Sequence, residues 1–184
     1  MNKERDIYLF IKNSSRSNDK FLGDYFNQLL SAYSLKKKVL KEYGVNSPYQ
    51  LLKKINFTFE ELLILLGLFN ITFNEFIESL YNYINDDNLI NSLNISIERN
   101  KKYLEFANNL NVNINDLFIF IFKFKGITLT ALANDLKVDE RRFREELVNN
   151  KKMNIGLIFM IMNKFNLTLD ELKKQYELYC KMDS

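Results

Sequence analysis

The sequence predicts an all-α protein built from tandem five-helix units, and three observations predict it. One segment occurs twice: Leu62 to Phe76, LLILLGLFNITFNEF, returns 96 positions later as Ile158 to Leu172, IFMIMNKFNLTLDEL, with its apolar, turn and acidic positions matched. A weaker third copy, LNVNINDL, covers Leu110 to Leu117. Repetition of this kind marks an architecture made of copies of one unit. Apolar residues also recur at helical spacing along most of the chain. Finally, Thr, Asn or Asp stands ahead of several of these runs with an acid in the first turn, as helix N-termini require. The expected organisation is an arm over residues 1–19, a first unit over 20–84, a helical connector with the partial third repeat over 85–114, and a second unit with a C-terminal helix over 115–184.

Each element has its own reason. Ile7 to Ile11 is a short apolar turn followed by NSSRSND, a composition that disfavours regular structure, so this part reads as an arm or a loosely docked helix. Phe21, Leu22, Tyr25, Phe26, Leu29 and Leu30 make an amphipathic helix of Lys20 to about Tyr33. Leu35 to Tyr43 is the next, stopped by Gly44. Ser47 then caps a short helix through Lys54, with Pro48 at its first position. Glu60 to Phe69 is apolar on almost every face and is therefore buried on more than one side. Thr72 opens a helix to about Ile84, and Ile97 to Leu110 is amphipathic. The run LFIFIFKF, Leu117 to Phe124, suits a buried strand as well as a helix by composition; the Asn115-Asp116 cap and its place in the repeat favour helix. Helices follow at Leu129 to Leu136, Glu140 to Val148, Ile155 to Phe165 and Leu169 to about Lys181.

Composition narrows the function. The chain has 184 residues and 47% apolar content, enough for a packed core. Its longest uncharged stretch, Leu62 to Asn74, is shorter than the roughly 20 residues a membrane-spanning helix needs. No signal peptide is expected, and the lone Cys180 fits a reducing compartment, so the expected location is cytoplasmic. With no His and one Cys, no zinc site of the usual kind is expected, and no cofactor. Adjacent acids such as Glu60-Glu61, Asp86-Asp87 and Glu145-Glu146 splay about 100° apart on a helix and make no acid/base pair. No phosphate-cradling loop and no nucleophile with a base is present either, so an enzyme is not expected.

The net charge is only +3, but it is unevenly placed. From Ile55 to Glu98 there is no Lys or Arg, while Glu60, Glu61, Glu75 and Glu78 help make that block acidic. The basic residues gather in Lys36-Lys37-Lys38, Arg141-Arg142-Phe143-Arg144 and Lys151-Lys152. Such patches attract a polyanion, and the acidic block repels one.

The stretch Gly126 to Leu172 resembles the Cro/CI-type helix-turn-helix domains of bacterial and phage repressors, the XRE family. Leu132-Ala133 is similar to the Leu-Ala pair of the family's second helix, and Leu136 and Val138 to the apolar residues bracketing its turn. Asp139 stands where the family caps its recognition helix, Phe143 at that helix's inward position, and Phe165 to Leu172 resembles the closing signature. A fainter match runs from Leu35 through Phe76. Leu129 replaces a phosphate-contacting Gln common in the family, and Lys137 replaces its turn Gly.

The resemblance implies a regulator that lays Glu140 to Val148 in a major groove of double-stranded DNA, where Arg pairs well with guanine. The candidate DNA contacts are Arg141, Arg142 and Arg144, with Lys151, Lys152, Lys36, Lys37 and Lys38 for phosphates. Glu145 and Glu146, four residues after Arg141 and Arg142, equally suit ordinary surface ion pairs. A homodimer is expected, since such operators are usually palindromic and since Leu172, Tyr176 and Tyr179 form a stripe on the last helix. The alternative is a protein-binding inhibitor from a mobile element, of the anti-CRISPR kind, that blocks a nucleoprotein target through the acidic residues Glu60, Glu61, Glu75 and Glu78.

Overall fold

Helices make up every regular element of the computed structural model, which describes residues 2–14, 21–32, 35–42, 45, 47–53, 57–85, 101–149 and 153–182. In chain order they are α1 (Lys3–Ser14), α2 (Phe21–Ala32), α3 (Val39–Glu42), α4 (Pro48–Leu51), α5 (Phe59–Phe69), α6 (Phe73–Asn85), α7 (Lys101–Asn109), α8 (Ile114–Phe124), α9 (Leu129–Leu136), α10 (Glu140–Arg144), α11 (Ile155–Lys164) and α12 (Leu169–Met182). A π-helical stretch, Glu145–Asn149, continues α10. Leu117 to Phe124 is helix throughout, and no strand occurs among the described residues.

The repeated segment folds the same way in both strong copies. Each ends its first helix with an Asn in the left-handed conformation, Asn70 at φ 52° and Asn166 at φ 51°. The next amide then reaches back five residues, Ile71 to the Leu66 oxygen at 2.9 Å and Leu167 to the Met162 oxygen at 2.8 Å. This is the Schellman closure of a helix C-terminus. Thr72 and Thr168 open the following helices by accepting from the Glu75 and Glu171 amides, at 3.3 and 3.2 Å. α5 and α6 meet at 95° as a result. The weak third copy differs. No residue of Leu110 to Leu117 has a positive φ; instead the Tyr176 hydroxyl donates to the Asn109 oxygen at 2.8 Å and accepts from the Asn111 amide at 3.1 Å.

Within the part read as an arm or a loosely docked helix, Lys3–Ser14 forms α1. Ile7, Tyr8 and Ile11 are buried on one face of this helix, which packs against both α6 and α11. Gly156 on α11 permits the contact: a Cβ there would sit 2.4 Å from the Tyr8 nitrogen and 2.6 Å from its Cα. The two units and the connector also merge. One apolar core runs through all of them, with the Phe159 ring 5.6 Å from Phe73 and 5.7 Å from Phe76. α7, expected as a linker helix, packs against α5 and accepts the Phe73 amide on the Tyr103 hydroxyl at 3.2 Å.

Smaller expectations also change. α3 and α4 are single turns, shorter than the spacing suggested, and Ser47 makes no side-chain cap to α4. Asn113, rather than Asn115, caps α8. Gly44, residues 86–100, Lys151 and Lys152 lie outside the described residues. Among the described residues, no single helix is long and apolar enough to cross a membrane.

Candidate nucleic-acid interface

α9 and α10 are joined by a three-residue turn, and the local causes of the arrangement are all visible. The Thr128 hydroxyl accepts from the Ala131 amide at 3.2 Å and starts α9. Leu132, Ala133 and Leu136 face the core. Lys137 then takes the left-handed conformation at φ 53°, and the Val138 amide reaches back to the Ala133 oxygen at 3.0 Å. Lys at this position thus makes the turn that Gly would make more cheaply. The Asp139 carboxylate caps α10 by accepting from the Arg142 amide at 3.0 Å. Phe143 and Leu147 anchor the inner face, both 1% exposed.

Past Arg144 the helix widens. The Asn115 amide on α8 donates to the Glu146 main-chain oxygen at 3.2 Å, occupying a carbonyl that a regular ladder would use. Leu147 stays in the core while Val148 emerges 62% exposed.

The arginines separate into two groups. Arg141 and Arg144, three residues apart, share the open face, and with Glu140, Glu145 and Val148 they line a shallow groove. Arg141 Nε donates to Glu145 Oε1 at 3.0 Å, with its side chain 87% exposed. Arg144 is held twice, by Nε to Glu140 Oε1 at 2.9 Å and by Nη2 to Thr130 Oγ1 at 3.0 Å. The Thr130 hydroxyl in turn donates to Glu140 Oε1 at 2.8 Å. These bonds to Thr130 and Arg144 hold the Glu140 carboxyl below the usual carboxylate range. Arg142 is half-buried instead, and its charge acts on Tyr8 of α1 and on Glu146. Arg142 points away from Arg141 because adjacent helical residues diverge by about 100°. Burial pushes the Glu146 carboxyl up, a shift reduced by the Asn154 amide, Lys12 and Arg142.

Other candidate residues are distributed as follows. Lys36 and Lys38 are exposed, and Lys37 Nζ lies 5.5 Å from the centre of the exposed Tyr49 ring on α4. This cation–π pair joins the first unit's basic run to its own short helix. The acids of the alternative reading are largely occupied. Glu61 closes a capping box with Thr58, bonded to its amide at 3.0 Å, and Glu75 accepts the Thr72 amide at 2.8 Å. Glu78 pairs with Lys3 of α1, and Glu60 is half-buried.

Sequence reasoning did not single out Thr130 or Glu140. The Glu140–Arg144 spacing of four was readable as an ion pair, but Thr130 joins them only because the turn folds α9 back on α10. Leu62, Leu63, Leu65, Leu66 and Leu68 are core, and on the stripe of the last helix Tyr176 packs on Phe106 and Tyr179 on Phe120. No family model, curated protein or solved structure matches this chain.

Proposed function

We propose that this chain is a sequence-specific DNA-binding transcriptional regulator of phage or mobile-element type, reading a major groove with α10. The observation that carries the reading is the capped α9–turn–α10 unit with Arg141 and Arg144 side by side on its open face. Their ion pairs with Glu145 and Glu140 do not oppose it. Exposed pairs of this type contribute about 0.2–1 kcal/mol, whereas a bidentate Arg–guanine contact discriminates by about 1–3 kcal/mol. A base edge or phosphate therefore displaces Glu145 from Arg141 at small cost, and Arg144 can keep its Glu140 pair while presenting its outer edge. Lys36, Lys37 and Lys38, with Tyr49, suit backbone contact by the first unit. On a palindromic operator two copies would bind together.

The inhibitor reading is less well supported, since Glu61, Glu75 and Glu78 serve helix starts and the α1 contact. The test is binding to duplex DNA from upstream of the chain's own gene across a range of salt concentrations. Affinity should fall steeply with salt, and the pair Arg141→Ala and Arg144→Ala should weaken it with the fold intact. Binding that is undiminished in the double variant, or absent at low salt, overturns the proposal.

A further inference from the structure

We infer that Thr130 and Glu140 are positioning residues that hold Arg144 as a pre-set reading fork, making Arg144 the specificity-determining arginine and leaving Arg141 as an adaptable contact. The inference rests on the DNA-binding reading above. A guanidinium has five N–H donors in a rigid plane. In Arg144 the edge formed by Nε and Nη2 is occupied, Nε by Glu140 Oε1 at 2.9 Å and Nη2 by Thr130 Oγ1 at 3.0 Å. Both Nη1 hydrogens and one Nη2 hydrogen are left over. One hydrogen on each of Nη1 and Nη2 lies along the outer end of the plane, an edge that matches the O6 and N7 acceptors of guanine.

The support is closed on itself. Thr130 Oγ1 donates to the same Glu140 oxygen at 2.8 Å, so hydroxyl, carboxylate and guanidinium form a ring of three bonds across α9 and α10. Among the described residues Arg141 has no such second anchor: it pairs with Glu145 on its own helix, and its side chain is 87% exposed against 50% for Arg144. An arginine already held in one rotamer loses less freedom on binding than one that is not. The same ring also orients the plane, which is what distinguishes a bidentate base contact from a phosphate contact that tolerates many angles.

The experiment selects a preferred sequence for the full chain from a randomised duplex pool at low salt, then measures variants on that sequence and on its single-base substitutions. Arg144→Ala should abolish the preference at one G·C position, a loss of about tenfold to hundredfold in discrimination there. Thr130→Val, close in shape but lacking the hydroxyl, should lower discrimination at the same position by about two- to tenfold, and Glu140→Gln should act in the same direction. Thr130→Ser, which keeps the hydroxyl, should restore it; melting temperatures within a few degrees of the parent separate this from loss of fold. Unchanged discrimination in Thr130→Val overturns the inference. So does a chain that binds duplex with steep salt dependence but no base preference, a result that leaves duplex binding standing and removes its sequence specificity. Failure to retain any duplex at low salt removes both.

Discussion

The side-chain amide of Asn154 donates to the main-chain oxygen of Tyr8 at 3.1 Å, across 146 residues of chain, while its own oxygen caps α11 by accepting the Gly156 amide at 2.9 Å. A single buried residue therefore both starts one helix and fixes another upon it.

Gly156→Ala is the sharpest test of this contact. The added methyl would meet main-chain atoms of Tyr8 at 2.4 and 2.6 Å, which cannot rotate away, so α1 must shift. A loss of about 1–3 kcal/mol is expected from overpacking. Urea denaturation measures it, and a stability equal to the parent would show that α1 is not seated there.

Removing residues 2–14 should cost more. Ile7, Tyr8 and Ile11 are 0–4% exposed, and each such side chain contributes about 1.5–3 kcal/mol on burial. Their sum is comparable with the whole stability of an ordinary domain, about 5–15 kcal/mol. Circular dichroism with thermal melting should show a broadened or absent transition; an intact cooperative one would restore the arm reading.

The difference between α1 and the well-read elements is informative. Leu129–Leu136 was legible to the residue because its cap, its apolar face and its closing turn are all local. Ile7, Tyr8 and Ile11 also carried helical spacing, but the surface they bury against lies on α6 and α11, far along the chain. Spacing shows that a face is apolar, not what covers it. The stripe of Tyr176 and Tyr179 shows the same limit, since its intrachain neighbours Phe106 and Phe120 lie on distant helices that spacing does not name. At the site, Arg141 and Arg144 were legible from their spacing, whereas Thr130 required the fold of the turn.

Two substitutions separate backbone strain from packing. Gly126 has φ 66° and nothing within 4 Å of a Cβ placed on it, so Gly126→Ala tests conformation alone. It should destabilise the chain by about 1–2 kcal/mol, the cost of a left-handed non-glycine residue. Lys137→Gly, at φ 53°, should do the reverse, its gain reduced by the extra freedom glycine has in the unfolded chain to roughly 0.5 kcal/mol. Opposite signs in thermal melts support the assignment; a stabilising Gly126→Ala contradicts it.

Glu146 should leave a signature in the pH dependence. Burial raises its carboxyl above the ordinary 4.5, offset in part by the Asn154 amide, Lys12 and Arg142. The folded chain therefore holds this proton more tightly than the unfolded one. Its contribution to stability is full below 4.5 and is lost as pH climbs from there through the raised value. Glu146→Gln, which has no proton to lose, should gain stability relative to the parent across that window and keep the gain at neutral pH. A gain that shrinks with rising pH would reverse the sign and refute the assignment.

The docking of α1 on α11 also sets a timetable for synthesis. Some 146 residues separate Tyr8 from Asn154, and at about 5–20 residues per second the ribosome needs roughly 7–30 s to cover them. For that interval the apolar face of α1 waits without α11, so the nascent chain carries an adhesive helix that α6 covers in part and only the last part of translation can cover fully. Messages cut short before α11 should consequently yield chains that engage chaperones or aggregate rather than a working first half.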